Sequence, residues 1–196
     1  GKPAMRPLFL LALPLLCLCA SCSQTIDPGD MTPIGSIDQI QLVDHAGEPF
    51  SENDFEGSIW VVDFFFTRCP SVCPRLQLEM KKFAERYANE PRVQFLSITV
   101  DTEFDEPEVL AAFAEKLGLP LDNWRLTTGD PRAIRQFSEH TLKLAMGTDM
   151  DENGDIAHST KFVLIDAKGD VRGFIDGLEE SEHPRFDAMI QTLLAE

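Results

Sequence analysis

Basic residues are scarce in this chain. Its 17 Lys and Arg face 33 Asp and Glu, giving a formal charge of −16 and a pI of about 4.5. Such a surface repels phosphate backbones and anionic lipid, so nucleic-acid binding is excluded. The acids are spread along the chain, which describes a well-solvated surface. Long hydrophobic runs are missing too. The N-terminal apolar run, residues 8–18, falls short of the roughly 20 residues a membrane-spanning helix needs. Internal repeats and low-complexity segments are absent, and with 43% hydrophobic and 26% charged residues the 196-residue chain has the composition of one globular domain. Cysteine is nearly absent from the body. Of five cysteines, Cys17, Cys19 and Cys22 lie in the leader, which leaves Cys69 and Cys73. A lone close pair is no disulfide framework; it is redox-active or metal-binding.

Arg6 followed by the apolar run has the layout of a secretory signal. Ala20 and Ser21 before Cys22 resemble a bacterial lipobox, with Cys19 where Leu is usual and Leu18 one place further back. Cleavage there leaves Cys22 as a lipidated N-terminus; an uncleaved anchor is the alternative. Both export the domain and hold it at a membrane, facing the periplasm or cell exterior. The expected division is a leader over 1–22, a polar, proline-containing tether over 23–35, and a folded domain over 36–196.

The folded part is organised around Phe64-Phe65-Phe66-Thr67-Arg68-Cys69-Pro70-Ser71-Val72-Cys73-Pro74. An apolar run over 59–66 predicts a buried strand, and apolar residues Leu76, Met80, Phe83, Ala84 and Tyr87 predict a helix starting near Pro74. Both cysteines then sit at a helix start, where N–H groups lack partners and the dipole favours a negative sulfur. A short strand over 40–43 precedes this unit. After it come a strand over 93–100, a helix over 107–117 closed by Gly118, and a short strand over 123–126. A helix capped by Asp130 is expected to run to about His140. Residues 143–157 are irregular; a hairpin over 161–175 and a closing amphipathic helix over 184–195 follow. This order is α/β with a mixed sheet flanked by helices, the thioredoxin-like plan with an N-terminal extension and a mid-domain insertion.

Three residues separate Cys69 from Cys73, so the sulfurs lie about one helical turn apart. They can close a disulfide in a wide ring or point at one metal ion, and the metal reading requires a third ligand. His45, His140 and His183 fall in a turn, near a helix end and at a helix start, as solvated residues do. His158 enters the strand beginning at Lys161, and in a thioredoxin-like sheet that loop faces the cysteine loop, so His158 is the candidate ligand. Asp63 is either a buried acid near the pair or a polar sheet-edge residue. Arg68 is either a group that lowers the thiol pKa or a solvated one. Asp149-x-Asp151-x-Asn153-Gly154 begins like a calcium loop, but Thr160 stands at its twelfth position, which makes it a polar turn.

The run Phe-x-Thr-Arg-Cys-Pro-x-Val-Cys-Pro, with Thr99-Val100-Asp101, Asp105-x-Pro107 and His158-Ser159 before Phe162-Val163-Leu164-Ile165-Asp166, resembles the SCO/SenC family. Those are membrane-anchored, thioredoxin-like copper proteins that help assemble the copper A centre of cytochrome c oxidase. The resemblance covers roughly residues 33–193. It implies that Cys69, Cys73 and His158 bind one copper ion, Cu(I) or Cu(II), and that the partner is the copper A subunit or another copper or thiol protein. Two positions depart from the family pattern. Ala157 stands where many relatives have Asp, and Asp101-Thr102 where Asp-Pro is common.

Two thiolates and an imidazole suit Cu(I), and a weak fourth ligand would suit Cu(II); a structural zinc wants four protein ligands. Copper delivery is the leading expectation. The alternative is a thiol–disulfide oxidoreductase in which Cys69 and Cys73 reduce a partner's cysteines. Such enzymes usually have proline entering the facing strand, where this chain has Ser159-Thr160. A peroxiredoxin-type peroxidase is disfavoured, because Thr67 lies only two residues before Cys69 and Val62 takes the expected proline's place.

Overall fold

The structure is a computed structural model that describes residues 26–147, 152, 154 and 156–196. The leader with Cys22 lies outside the described residues, as do Asp149, Asp151 and Asn153 of the calcium-loop look-alike. In chain order the elements are β1 (Gly35–Ser36), β2 (Gln41–Asp44), β3 (Pro49–Ser51), β4 (Ile59–Phe65), α1 (Cys73–Arg86), β5 (Val93–Thr99) and α2 (Pro107–Leu117). They continue with β6 (Trp124–Gly129), α3 (Pro131–Gln136), β7 (Lys161–Ile165), β8 (Asp170–Asp176) and α4 (His183–Ala195).

The strands form one sheet in the order β1-β8-β7-β4-β5-β6-β2-β3. β4 pairs in parallel with β5 and antiparallel with β7, and β5 pairs in parallel with β6. Both parallel connections cross over through a helix, α1 and then α2, which pack with α4 on one face of the sheet, while Phe50, Phe55 and α3 cover the other. That is why β4 is buried at all seven positions and reads as an unbroken apolar run. Val61 and Phe65 pack into one cluster with Leu76, Met80, Phe83, Leu110 and Phe186. Trp60, Val62 and Phe64 point into the other, with Phe50, Phe55, Ile134 and Phe137. The mixed, thioredoxin-like α/β architecture expected from the element order is the one observed.

Local chemistry sets most boundaries. Pro74 and Pro107 occupy first helical turns, where a missing N–H costs nothing, and Gly118 ends α2 at φ 60°. Asp130 caps α3 by accepting from the Arg132 and Ala133 N–H groups, at 2.9 and 3.0 Å. The elements differ from the sequence reading in three ways. The third helix is α3 plus a π-helical turn, Phe137–Thr141, rather than one regular helix. β6 runs to Gly129, three residues past the expected end, because β2 pairs with Thr127, Thr128 and Gly129. The short strands β1 and β3 are additional.

The segment expected to be a tether is fastened to the sheet at its C-terminal end. The Met31 side chain is buried, Ile34 N–H donates to the Val171 carbonyl, and Arg172 Nε donates to the Met31 carbonyl at 2.6 Å. Arg172 also holds Asp166 and Glu196, each at 2.8 Å. This clasp lies at the end of the sheet where β4 begins and β7 ends. The cysteine loop leaves β4 at the other end, and there β7 begins.

Candidate metal centre

The site is built at the end of β4. Residues 67–72 turn the chain from the strand into α1, and buried carboxylates from the loop after β5 hold that turn. Asp105 accepts from the Thr67 N–H at 3.0 Å and from the hydroxyls of Thr67 and Thr99. Arg68 donates through Nε and Nη2 to Asp101 Oδ2, at 2.9 and 2.7 Å, with its guanidinium carbon 4.1 Å from the Phe104 ring centroid. Burial pushes the Asp105 carboxyl above its usual range, and the hydrogen bonds from Thr67 and Thr99 oppose that rise.

Cys73 is the first residue of α1, and no side-chain oxygen caps this helix. The Cys69 sulfur takes that place, accepting the Cys73 N–H at 3.4 Å. Cys69 Sγ also lies 3.6 Å from Ser71 Oγ. The two thiols are free and buried but not equivalent. Burial pushes the Cys69 thiol up; hydrogen bonds from the Cys73 thiol and N–H and from Ser71 outweigh it, so its pKa falls below the ordinary value. The Cys73 thiol is pushed far up, first by burial and then by the hydrogen bond and charge of Cys69. Cys69 is the thiol that ionises first.

His158 arrives from the other direction, on the half-buried stretch before β7. Its Nε2 lies 3.1 Å from Cys73 Sγ and its Nδ1 lies 3.0 Å from the Ser159 carbonyl oxygen. A proton on Nδ1, donated to that carbonyl, leaves the Nε2 lone pair aimed at the sulfurs, as a metal-binding imidazole requires. Phe66 meets the ring edge to face at 5.9 Å. The two sulfurs and a ring nitrogen all lie within 4.8 Å of one another, the one such His, Cys or carboxylate group of three among the described residues. Two soft donors and a borderline one, with no fourth Cys or His grouped with them among the described residues, fit Cu(I) better than a structural zinc.

The other singled-out residues do other work. His140 is exposed, as expected. His183 is not a solvated residue: its side chain is 15% exposed, with Nε2 2.9 Å from the Gly177 carbonyl and its ring 5.2 Å from that of Phe83. His45 Nδ1 accepts the Leu126 N–H at 3.4 Å, binding a turn to β6. Asp63 is fully buried beneath α1, accepting from Gln77 Nε2 at 2.7 Å and from Ser97 Oγ. Burial raises its pKa to about 7, against the lowering effect of those two bonds. Arg68 is occupied by Asp101 and is not among the groups that lower the Cys69 thiol. The sequence reading missed the anchoring role of Asp105. Its only signal was its place in the Asp105-x-Pro107 motif, since nothing local links it to Thr67, 38 residues away.

Known proteins share this fold and sequence pattern. A SCO1/SenC family lipoprotein from Bacillus anthracis str. Ames superposes with a TM-score of 0.74 at 35% identity, covering 84% of this chain and 98% of that one. BsSco, described as a member of the Sco family of cytochrome c oxidase assembly proteins in which a disulfide switch was identified, gives 0.70 at 26% identity over 82% and 95%. The SCO1 protein homolog of Bacillus subtilis (strain 168) is 28% identical over 171 residues, 86% of each chain. The SCO1/SenC family model matches residues 35–194, a span that holds both cysteines, His158 and every strand of the sheet, and the chain belongs to that family.

Proposed function

We propose that Cys69, Cys73 and His158 hold one copper ion as cargo, and that the protein passes it to the copper A subunit of cytochrome c oxidase during assembly. The observation that carries the reading is the convergence of two thiol sulfurs and an imidazole nitrogen within 4.8 Å. Its support from kinship is membership of a family that includes a cytochrome c oxidase assembly protein. Both thiols must be ionised to bind the ion, so loading releases protons and requires the reduced pair. Oxidation to a Cys69–Cys73 disulfide expels copper, which ties cargo to the redox state of an exported compartment. The domain is exported and held at a membrane by its leader, through a lipidated Cys22 or an uncleaved anchor; likeness to the B. anthracis lipoprotein supports this.

The test is anaerobic Cu(I) titration of the reduced protein beside its His158→Ala and Cys69→Ser variants. One tight equivalent is expected, weakened about a hundredfold without the imidazole, or about 2.7 kcal/mol, and lost without the sulfur. Copper affinity unchanged in His158→Ala would refute the three-ligand site.

The inequality of the two thiols favours a second reading, thiol–disulfide exchange. The Cys69 thiolate attacks a partner's disulfide and Cys73 resolves the mixed disulfide. The products are a Cys69–Cys73 disulfide and two partner thiols. His158→Ala leaves this exchange intact, so the same variant separates the readings.

A further inference from the structure

Three of the chain's methionines, Met31, Met80 and Met189, are buried in the core cluster under α1 and α4. Met146 is different. It is half-buried at the edge of the second cluster, in the irregular stretch after the π-helical turn. It lines an open cavity of about 460 Å³ together with Ala145, Gly147, Ala157, His158 and Ser159.

That placement is enforced. Arg135 donates through Nη1 to the Met146 carbonyl at 3.2 Å and through Nη2 to the Gly147 carbonyl at 3.1 Å. Gly147 N–H donates to the Ala157 carbonyl at 2.5 Å, and a Cβ at Gly147 would lie 3.0 Å from Cβ of Ala157. Met146, one residue before Gly147, and His158, one after Ala157, each adjoin this contact and line the same cavity. Few other donors face the cavity. The Ser159 hydroxyl accepts the Lys161 N–H at 3.1 Å and its carbonyl meets His158 Nδ1. Ala145, Gly147 and Ala157 carry no donor side chain, which leaves the Met146 thioether.

We propose that Met146 is a further, weak ligand to the copper held by Cys69, Cys73 and His158, reached across this cavity. The inference rests on the copper reading above. A thioether is soft and neutral, so it suits Cu(I) without adding charge to two thiolates, and it is the usual weak axial partner of Cu(II) beside thiolate and imidazole. A donor on a segment separate from the cysteine loop also lets the ion change ligands one bond at a time as it passes to an acceptor.

The experiment compares the wild-type protein with Met146→Leu, which keeps the volume and costs little in packing. Both are grown on selenomethionine, reduced, and loaded with one equivalent of Cu(I). Copper-edge X-ray absorption is expected to show a selenium scatterer in the wild type that vanishes in Met146→Leu. Competition with bicinchoninate should give about tenfold weaker binding in the variant, or about 1.4 kcal/mol. The Cu(II) forms should differ in their sulfur-to-copper absorption. Tight copper binding by the wild type with no selenium neighbour overturns the proposal, whatever the variant does. A reduced wild type that takes up no copper overturns the copper reading itself, and this one with it.

Discussion

The two halves of the site are held in different ways. The cysteine half grows out of the most buried strand of the sheet, and its turn is locked by Asp105 on one side and the Arg68–Asp101 pair on the other. The histidine half lies on the half-buried stretch before β7. A glycine–alanine backbone contact and the Arg135 clamp hold it there. The sulfurs are therefore set by the strand and its turn, and the imidazole by a separate segment with its own fastenings. On the proposed reading, that division lets a ligand on a separate segment leave the ion while the thiolates stay in place.

Breaking the rigid half should have the largest effect. Asp105→Ala leaves the Thr67 N–H and two hydroxyls without their acceptor, a loss of about 2–3 kcal/mol. Thermal denaturation should show a fall of about 5–10 °C, and copper affinity should drop alongside. A melting temperature within a degree of wild type would show that the turn is held by something else.

Asp63 sharpens the comparison through pH, since it is buried under the helix that Cys73 opens. Its folded pKa, about 7, is raised from 3.8, so the folded state binds this proton more tightly than the unfolded chain does. The stabilisation is full below about pH 3.8 and is lost as pH rises toward 7. Asp63→Asn removes that dependence. Urea unfolding between pH 4 and pH 8 should show the variant gaining on wild type up to about pH 7 and level beyond it. A constant difference between the two would refute the raised pKa.

The histidine half gives the smallest effect. Gly147→Ala places a methyl 3.0 Å from Cβ of Ala157 and must push the histidine segment outward. Copper binding should weaken several-fold while the Cys69–Cys73 disulfide forms at its wild-type rate. A matching loss in both would show that the two halves are mechanically one.

The sequence made the cysteine half legible because its signals are local. A continuous apolar run, a proline at a helix start and a 3.6-residue apolar period leave little choice for β4 and α1. His158 was reached only through the fold plan, which places the loop before β7 opposite the loop after β4. What stayed hidden depends on partners far away in sequence. The two-residue β1 and three-residue β3 carry no period of their own, and β6 extends over Thr127 and Thr128 because β2 lies beside it. His183 looks like a helix-start surface residue until α4 packs on α1 and brings it against Phe83. Asp63 is tolerated in a buried strand because Gln77 and Ser97, from two other elements, meet it.

The Arg172 clasp has a consequence for how the molecule stands. It grips the chain at Met31 and the last residue, Glu196, at the end of the sheet remote from the cysteines. β4 is seven residues long, about 23 Å of strand. Whatever lies upstream of Met31 is thus tied to the foot of the domain, and the metal centre is carried at its head. A pull on the upstream chain is borne by Arg172 and the β1–β8 pairing, leaving the cysteine loop unloaded. The clasp and the cysteine loop thus stand at opposite ends of the central strand, so strain at one need not reach the other.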